Sequence, residues 1–264
     1  MVMLMTWEMV DEGWGNAAAV WAYTSEPRFR PEYDAVLSAL DVGPTDRYLD
    51  IACGSGLAAQ IADERGAAVS GIDASHRLVA IAEARVPRAD FRTGDMHDLP
   101  WDSEAFDAAT SFRGIWGNTP DALIQAARVL KPGGRLGVSF WPADLLDAPT
   151  AAIWMAVAPA SKHERKTMAG MGSIAADGRV EDMCIAAGLE PGVRARVEFV
   201  MEGPDVDYEI RAALASGPAY TAVKERGVED VSRALRTALE PFVNDDVGVR
   251  IPQAVEYLVA SKPG

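Results

Sequence analysis

The stretch Tyr48-Leu49-Asp50-Ile51-Ala52-Cys53-Gly54-Ser55-Gly56 constrains this chain more than any other. An apolar run closed by two glycines predicts a buried strand that turns directly into a helix over residues 57–65. Gly54 and Gly56 let the backbone approach a ligand that a Cβ would push away. The helix that follows presents free N–H groups at its first turn. Asp50 sets the sign of that ligand: a carboxylate here repels a pyrophosphate and favours a cation.

The rest of the first half alternates strand and helix with short turns, the pattern of a parallel sheet covered on both faces. Gly66 closes the first helix, a strand covers residues 68–72 and ends on Asp73, and Ser75 caps a helix through Arg85. Further strands are predicted at 89–93, running to Gly94-Asp95, at 106–112, and at 135–141. Thr119-Pro120 starts a helix with Pro at its first position, and Lys131-Pro132-Gly133-Gly134 forms a sharp turn. Beyond Trp141 the pattern predicts helix over 147–158, an irregular connection over 159–176 and helix over 178–187. A strand near 193–201, mostly helix over 205–242 and a long strand over 247–259 complete it. No repeat or low-complexity linker divides the 264 residues, so one domain is expected. Within it the pattern separates an N-terminal segment (1–40), a strand–helix core (45–141) and additions at 142–180 and 205–245.

A net charge of −14 argues against nucleic-acid or anionic-membrane partners, whose phosphates would be repelled. No run reaches the ~18 apolar residues of a membrane span. The first nine residues lack the basic start of a signal peptide and contain Glu8, so the expected compartment is the cytoplasm. Cys53 and Cys184 fit no disulfide or metal spacing and read as small buried apolar residues; no metal site is expected.

Three acids fall at the carboxyl ends of predicted strands, where open parallel sheets bind ligands: Asp50, Asp73 and Asp95. A carboxylate at Asp73 can take both hydroxyls of a ribose. Asp95 can meet an exocyclic adenine amine while Met96 covers the ring. The rival occupant is a nicotinamide dinucleotide, since Gly54-Ser55-Gly56-Leu57-Ala58-Ala59 meets the loose G-x-G-x-x-G/A form and Asp73 stands near the right distance. A pyrophosphate beside Asp50 would be repelled, and the Lys-Pro-Gly-Gly turn has no part in that reading.

Together, Leu49 to Gly56, Gly71-Ile72-Asp73, Gly94-Asp95-Met96 with Leu99-Pro100, Phe106-Asp107 and Arg128 to Gly134 resemble the class I S-adenosylmethionine-dependent methyltransferases of the small-molecule branch. The resemblance covers residues 45–141. It departs from the family at Ala52, where glycine is usual and tighter packing is expected. It implies a doubly wound α/β fold with a mostly parallel seven-stranded sheet and an antiparallel last strand, here residues 247–259. It also implies donor binding by Asp50, Ala52, Gly54, Gly56, Asp73, Ala74, Asp95, Met96 and the main chain of Phe112. The implied activity is methyl transfer from S-adenosylmethionine to a small metabolite or natural-product intermediate. The alternative is a protein of this fold that binds the donor without transfer, as a cyclase or regulator.

On the acceptor side, Arg113 could steady a carboxylate or oxyanion, or pair with a neighbouring acid; Trp116 could stack on a flat acceptor, or pack in the core. Tyr23 belongs to an aromatic N-terminal segment with Trp14 and Trp21 that either folds over the site as a lid or seals the sheet. Of the three histidines, His163 is the candidate general base, against a plain loop residue; His76 and His97 lie nearer the donor. The helices of 205–242 complete an acceptor pocket or form a homodimer surface.

Overall fold

A computed structural model describes residues 7–264, apart from the side chains of residues 7–10, 163, 164 and 167. The chain opens with α1 (Trp7–Trp14), α2 (Ala18–Val20) and a run of tight and wide helical turns through Phe29, then enters α3 (Arg30–Ala39). Strand and helix alternate from there: β1 (Arg47–Ile51), α4 (Leu57–Glu64), β2 (Ala68–Asp73), α5 (His76–Arg85), β3 (Asp90–Thr93), β4 (Phe106–Phe112), α6 (Asp121–Val129) and β5 (Leu130–Phe140). The second half holds α7 (Ala151–Ala156), α8 (Lys162–Gly172), α9 (Arg179–Ala186), β6 (Glu190–Gly203), α10 (Val206–Leu214), α11 (Gly217–Arg226), α12 (Val228–Leu239), β7 (Val243–Asn244) and β8 (Gly248–Ser261).

The strands form one sheet in the order β3-β2-β1-β4-β5-β8-β6, with the two-residue β7 paired to β8. β1 to β5 are mutually parallel, and β8 runs antiparallel between β5 and β6. This is the expected doubly wound sheet, with its antiparallel strand supplied by the end of the chain. Parallel strands are covered on both faces, so β1 reads as an almost continuous buried run. Alternation splits that run between two cores. Tyr48 joins α3, α4 and the late helices on one face; Leu49 and Ile51 join α6 and α9 on the other. Gly137 of β5 lets α3 lie close, since a Cβ there would stand 2.6 Å from Val36 Cγ1.

Ser75 does cap α5, its hydroxyl accepting the Leu78 N–H at 3.3 Å. Gly66 and Gly188 close α4 and α9 with left-handed φ of 93° and 80°. Elsewhere the local reading needs correction. Residues 159–176 are not an irregular connection: α8 and a short 3-10 turn fill most of them. Its described side chains are mostly exposed or half-exposed, so no apolar stripe advertised the helix. The predicted helix over 147–158 contracts to α7. Pro120 stands at the N-cap of α6, one place before the first helical residue. β5 begins five residues early because the Lys-Pro-Gly-Gly segment bonds to the end of the chain, Gly133 N–H to Lys262 O and Lys262 N–H to Gly134 O, both at 2.8 Å.

The N-terminal segment is fastened to the α10–α11 region. Arg28 makes two 2.7 Å bonds to the Glu209 carboxylate, Ser25 Oγ donates to Ala212 O at 3.1 Å, and Tyr208 donates to Thr24 O at 3.2 Å. Gly217 faces Trp14, whose indole would meet any Cβ placed there. Among the described residues no helix is long and apolar enough to cross a membrane.

Candidate functional site

The carboxyl ends of β1, β2 and β4 converge where strand order reverses between β1 and β4. Asp50 stands there fully buried, at 1% exposure. Thr110 on β4 donates to its Oδ1 at 3.1 Å, and Tyr48 bonds to the same threonine. A hydroxyl carries one hydrogen, so the threonine that gives its own to Asp50 takes one from Tyr48. Burial pushes the Asp50 carboxyl up to about 8; the Thr110 bond opposes this, and the charges of Glu26 and Asp73 add to it.

The turn after β1 explains its unusual residue. Ala52 adopts φ 59°, a left-handed conformation that a Cβ penalises. Its methyl group is accommodated because position 114, beside it, is glycine: a Cβ on Gly114 would overlap Ala52 Cβ. Alanine thus packs tightly as expected, against a glycine on the neighbouring turn. The two glycines of the motif do different jobs. Gly54, at φ 54°, faces only Glu26 Oε1, 3.7 Å from where its Cβ would sit. Gly56 faces no open space: a Cβ would meet Ala82 Cβ at 2.6 Å, so it serves helix packing between α4 and α5. Of the two glycines, Gly54 is the one with space on its Cβ side.

Asp73, at the end of β2, accepts the Gly54 N–H on Oδ2 and the Ser75 N–H on Oδ1, both at 2.8 Å. It thereby ties the turn after β1 to the turn after β2, which includes Ala74. Burial raises its carboxyl to about 6; those two N–H groups pull it down, and Asp11 and Glu26 push it up. Asp11 reaches over from α1 and takes the Ser75 hydroxyl at 2.5 Å. Asp95 follows β3 and accepts both the N–H of His97 at 2.9 Å and its ring Nδ1 at 2.7 Å. Met96 packs, half-buried, against the core on the α6 side. His76 is exposed and stands 3.4 Å from Asp11.

Two side chains that no local motif announced complete this end. Glu26, from the N-terminal segment, is 3% exposed. Its carboxylate accepts the Ser55 hydroxyl at 2.6 Å, lies 3.5 Å from the Leu57 N–H and pairs with Arg85. Arg85 also donates to Ser55 O at 2.9 Å and Ala22 O at 2.8 Å. The only readable signal was an acid within an aromatic segment; its partners lie 29 and 59 residues away.

At the end of β4, Phe112 meets the Tyr33 ring edge-on at 4.7 Å. Arg113 follows in a left-handed turn of φ 55°. Its guanidinium pairs with the fully buried Glu32, lies 3.7 Å over the Phe29 ring and 5.3 Å from that of Trp141. Glu32 also takes the Ser139 hydroxyl at 2.5 Å. Burial lowers Arg113 to about 9, which leaves it cationic at neutral pH. Of the two roles open to it, the structure gives it the ion pair with an acid of its own chain. Trp116 turns its indole N–H back to Arg113 O at 2.8 Å. Tyr23 is 71% exposed, with Arg85 6.0 Å from its ring centre. His163 lies on α8, but its side chain is outside the described residues.

Aromatic contacts run from Trp14 through Trp21 and Phe29 to Trp141 and Phe199, and from Trp141 to Trp154. Beyond Phe199, a groove of about 390 Å³ opens between the segment after β5, β6 and the start of β8, with Leu145, Phe199 and Pro252 and the charged Asp144, Arg196 and Glu198 in its lining. Both cysteines are free and buried, and no cluster of three or more metal-ligating side chains occurs among the described residues.

Comparison with known proteins agrees with this layout. Residues 49–138 match the family model described as a methyltransferase domain. The 2-phytyl-1,4-naphtoquinone methyltransferase of Synechococcus elongatus is 39% identical over 108 residues, 36% of this chain and 46% of that protein. The chain thus spans about half the length of the curated relatives it matches. Among solved structures, a protein of Bacillus halodurans described as a putative methyltransferase aligns with a TM-score of 0.60 at 16% identity, covering 88% of this chain and 99% of that one. The cyclase SpnF aligns with a TM-score of 0.56 at 24% identity, over 88% and 80%. These two show the shared fold.

Proposed function

On the premise that this chain carries a class I methyltransferase domain, we propose that it binds S-adenosylmethionine above Gly54 and transfers the methyl group to a small-molecule acceptor. The observation that carries this reading is the set of buried carboxylates at the strand ends. The charges of Asp73 and Glu26 raise Asp50, and those of Asp11 and Glu26 raise Asp73. A ligand bearing sulfonium and ammonium charge relieves that repulsion; a diphosphate would add to it.

The residues present fit such a donor. Gly54 leaves a space that a Cβ would narrow, bounded by one carboxylate oxygen. Ser111 Oγ, buried at the end of β4 and beside Gly114, has no hydrogen-bond partner among the described residues. Asp73 keeps lone pairs for ribose hydroxyls after accepting two N–H groups, and Asp95 and Met96 take the adenine. Ala52 and Ala74, in the turns after β1 and β2, border the donor, and the Phe112 main chain holds its amino-acid part. The donor supplies an activated methyl group; the chain's own work is alignment and exclusion of water, which is where most of the help lies for displacement at carbon.

The groove bordered by Phe199 and Leu145, beside the aromatic cluster of Phe29 and Trp141, is where the acceptor enters in this reading. Tyr23 and Trp116 remain candidate acceptor contacts, and His163 remains the base candidate should the acceptor need to lose a proton. The quinone named for the relative supports an aromatic or isoprenoid acceptor. Two buried free cysteines suit a reducing compartment such as the cytoplasm. The test is turnover with a panel of phenolic, quinol and amine acceptors: S-adenosylhomocysteine must form in step with methylated product. Product formed without it would contradict methyl transfer and favour the cyclase alternative.

A further inference from the structure

We propose that Ser55, the Leu57 N–H and Arg85 form the subsite for the donor's carboxylate, and that Glu26 holds this subsite until the donor displaces it. The inference rests on the donor reading above and adds to it the identity of a subsite and the route by which it opens.

Among the described residues, the polar groups that touch the Glu26 carboxylate are all donors. Ser55 Oγ gives a hydrogen bond at 2.6 Å, the first N–H of α4 lies 3.5 Å away, and Arg85 supplies the charge. The surroundings are dry: Glu26 is 3% exposed and Ser55 fully buried. Such a set selects a carboxylate over a neutral group, because an unpaired guanidinium in this setting carries a large desolvation cost. Yet Glu26 is held at the expense of its neighbours, since its charge raises both Asp50 and Asp73. A ligand that brings its own carboxylate to Arg85 while placing positive charge near Asp50 satisfies both halves of the site. An α-amino acid with a sulfonium three bonds from its α-carbon is such a ligand. Glu26 satisfies only the first half.

Glu26 also stands where the donor must pass, as the nearest atom to the open side of Gly54. It belongs to the N-terminal segment, which Arg85 holds a second time through Ala22 O. Exchange of carboxylates on Arg85 therefore frees Glu26 and loosens one anchor of the segment. Donor entry and lid opening are one event.

The test needs no turnover. Calorimetry on the wild-type protein compares S-adenosylmethionine with its decarboxylated analogue, which keeps the sulfonium and an ammonium. The proposal expects the analogue to bind roughly ten- to hundredfold more weakly, the scale of losing charge-assisted hydrogen bonds. Arg85→Met should remove that preference and leave 5′-methylthioadenosine, which lacks the whole amino-acid group, within about twofold of wild type. Glu26→Gln, isosteric and able to keep the Ser55 bond, should tighten S-adenosylhomocysteine by about tenfold, because the competing occupant is weakened. If Glu26 instead held the donor's ammonium, Glu26→Gln would weaken binding and the decarboxylated analogue would bind as well as the parent. Either result overturns the carboxylate subsite while leaving the donor reading intact. Failure of every adenosyl compound to bind the wild type would overturn the donor reading, and this inference with it.

Discussion

Replacing Asp50 by asparagine changes one charge at the centre of the site and gives a pH-dependent effect whose size can be worked out. The folded protein holds this carboxyl at about 8 against an ordinary value of 3.8. Between those values the native state keeps a proton that the unfolded chain has lost, so raising the pH favours unfolding. Each unit of difference is worth roughly 1.4 kcal/mol, and from pH 4 to pH 7 the penalty grows to about 4 kcal/mol. Asparagine resembles the protonated acid in shape and cannot ionise. The variant is therefore expected to match wild type near pH 4 and to exceed it by about 4–5 kcal/mol at pH 7.5. For a chain of this length that is a rise in Tm of roughly 8–20 °C. Urea unfolding followed by circular dichroism at pH 4.5, 6 and 7.5 measures the difference. A variant destabilised equally at all three would refute the reasoning, since it would mean that Asp50 is held as a charged, well-satisfied carboxylate. Donor affinity should move the opposite way, falling in the variant.

Three further outcomes are expected. Gly114→Ala should destabilise by roughly 1–3 kcal/mol, the scale for overpacking, because its Cβ overlaps that of Ala52. Ala52→Gly should recover most of that loss in the double variant, and additive effects in a thermal unfolding cycle would contradict the contact. Arg113→Met should cost about 3–5 kcal/mol by leaving Glu32 buried without its cation; denaturant titration showing a neutral change would count against the pair. Asp73→Ala should weaken S-adenosylhomocysteine by roughly 1–3 kcal/mol, measured by calorimetry, and unchanged affinity would remove Asp73 from the site.

Much of the sheet was legible because its signals are local. Tyr48 to Gly56 announces a strand, a turn and a helix in nine residues. Ser75 and Gly66 mark helix ends by chemistry that acts within one turn. The strand β8 could be read at the end of the chain from its apolar content, although its partners lie more than a hundred residues back on β5. What escaped reading has a common cause in contacts distant along the chain. Gly54 and Gly56 look alike in the motif, and the position of Ala82 on α5 separates an open position from a packing contact. Glu26 and Arg85 meet across 59 residues, and Glu32 meets Arg113 across 81. The helix α8 lacks an apolar face, so periodicity could not reveal it.

The account stands on Asp50 and Asp73 favouring a positively charged ligand beside Gly54. Calorimetric titration of S-adenosylmethionine at pH 5.5 and pH 7.5, in two buffers of different ionisation heat, tests this directly. Bound positive charge should lower both carboxyl values, so binding should release protons and tighten with pH, by up to about a hundredfold across the two units if Asp50 alone ionises. Proton uptake on binding, affinity that falls as pH rises, or a preference for NAD over the sulfonium would contradict it.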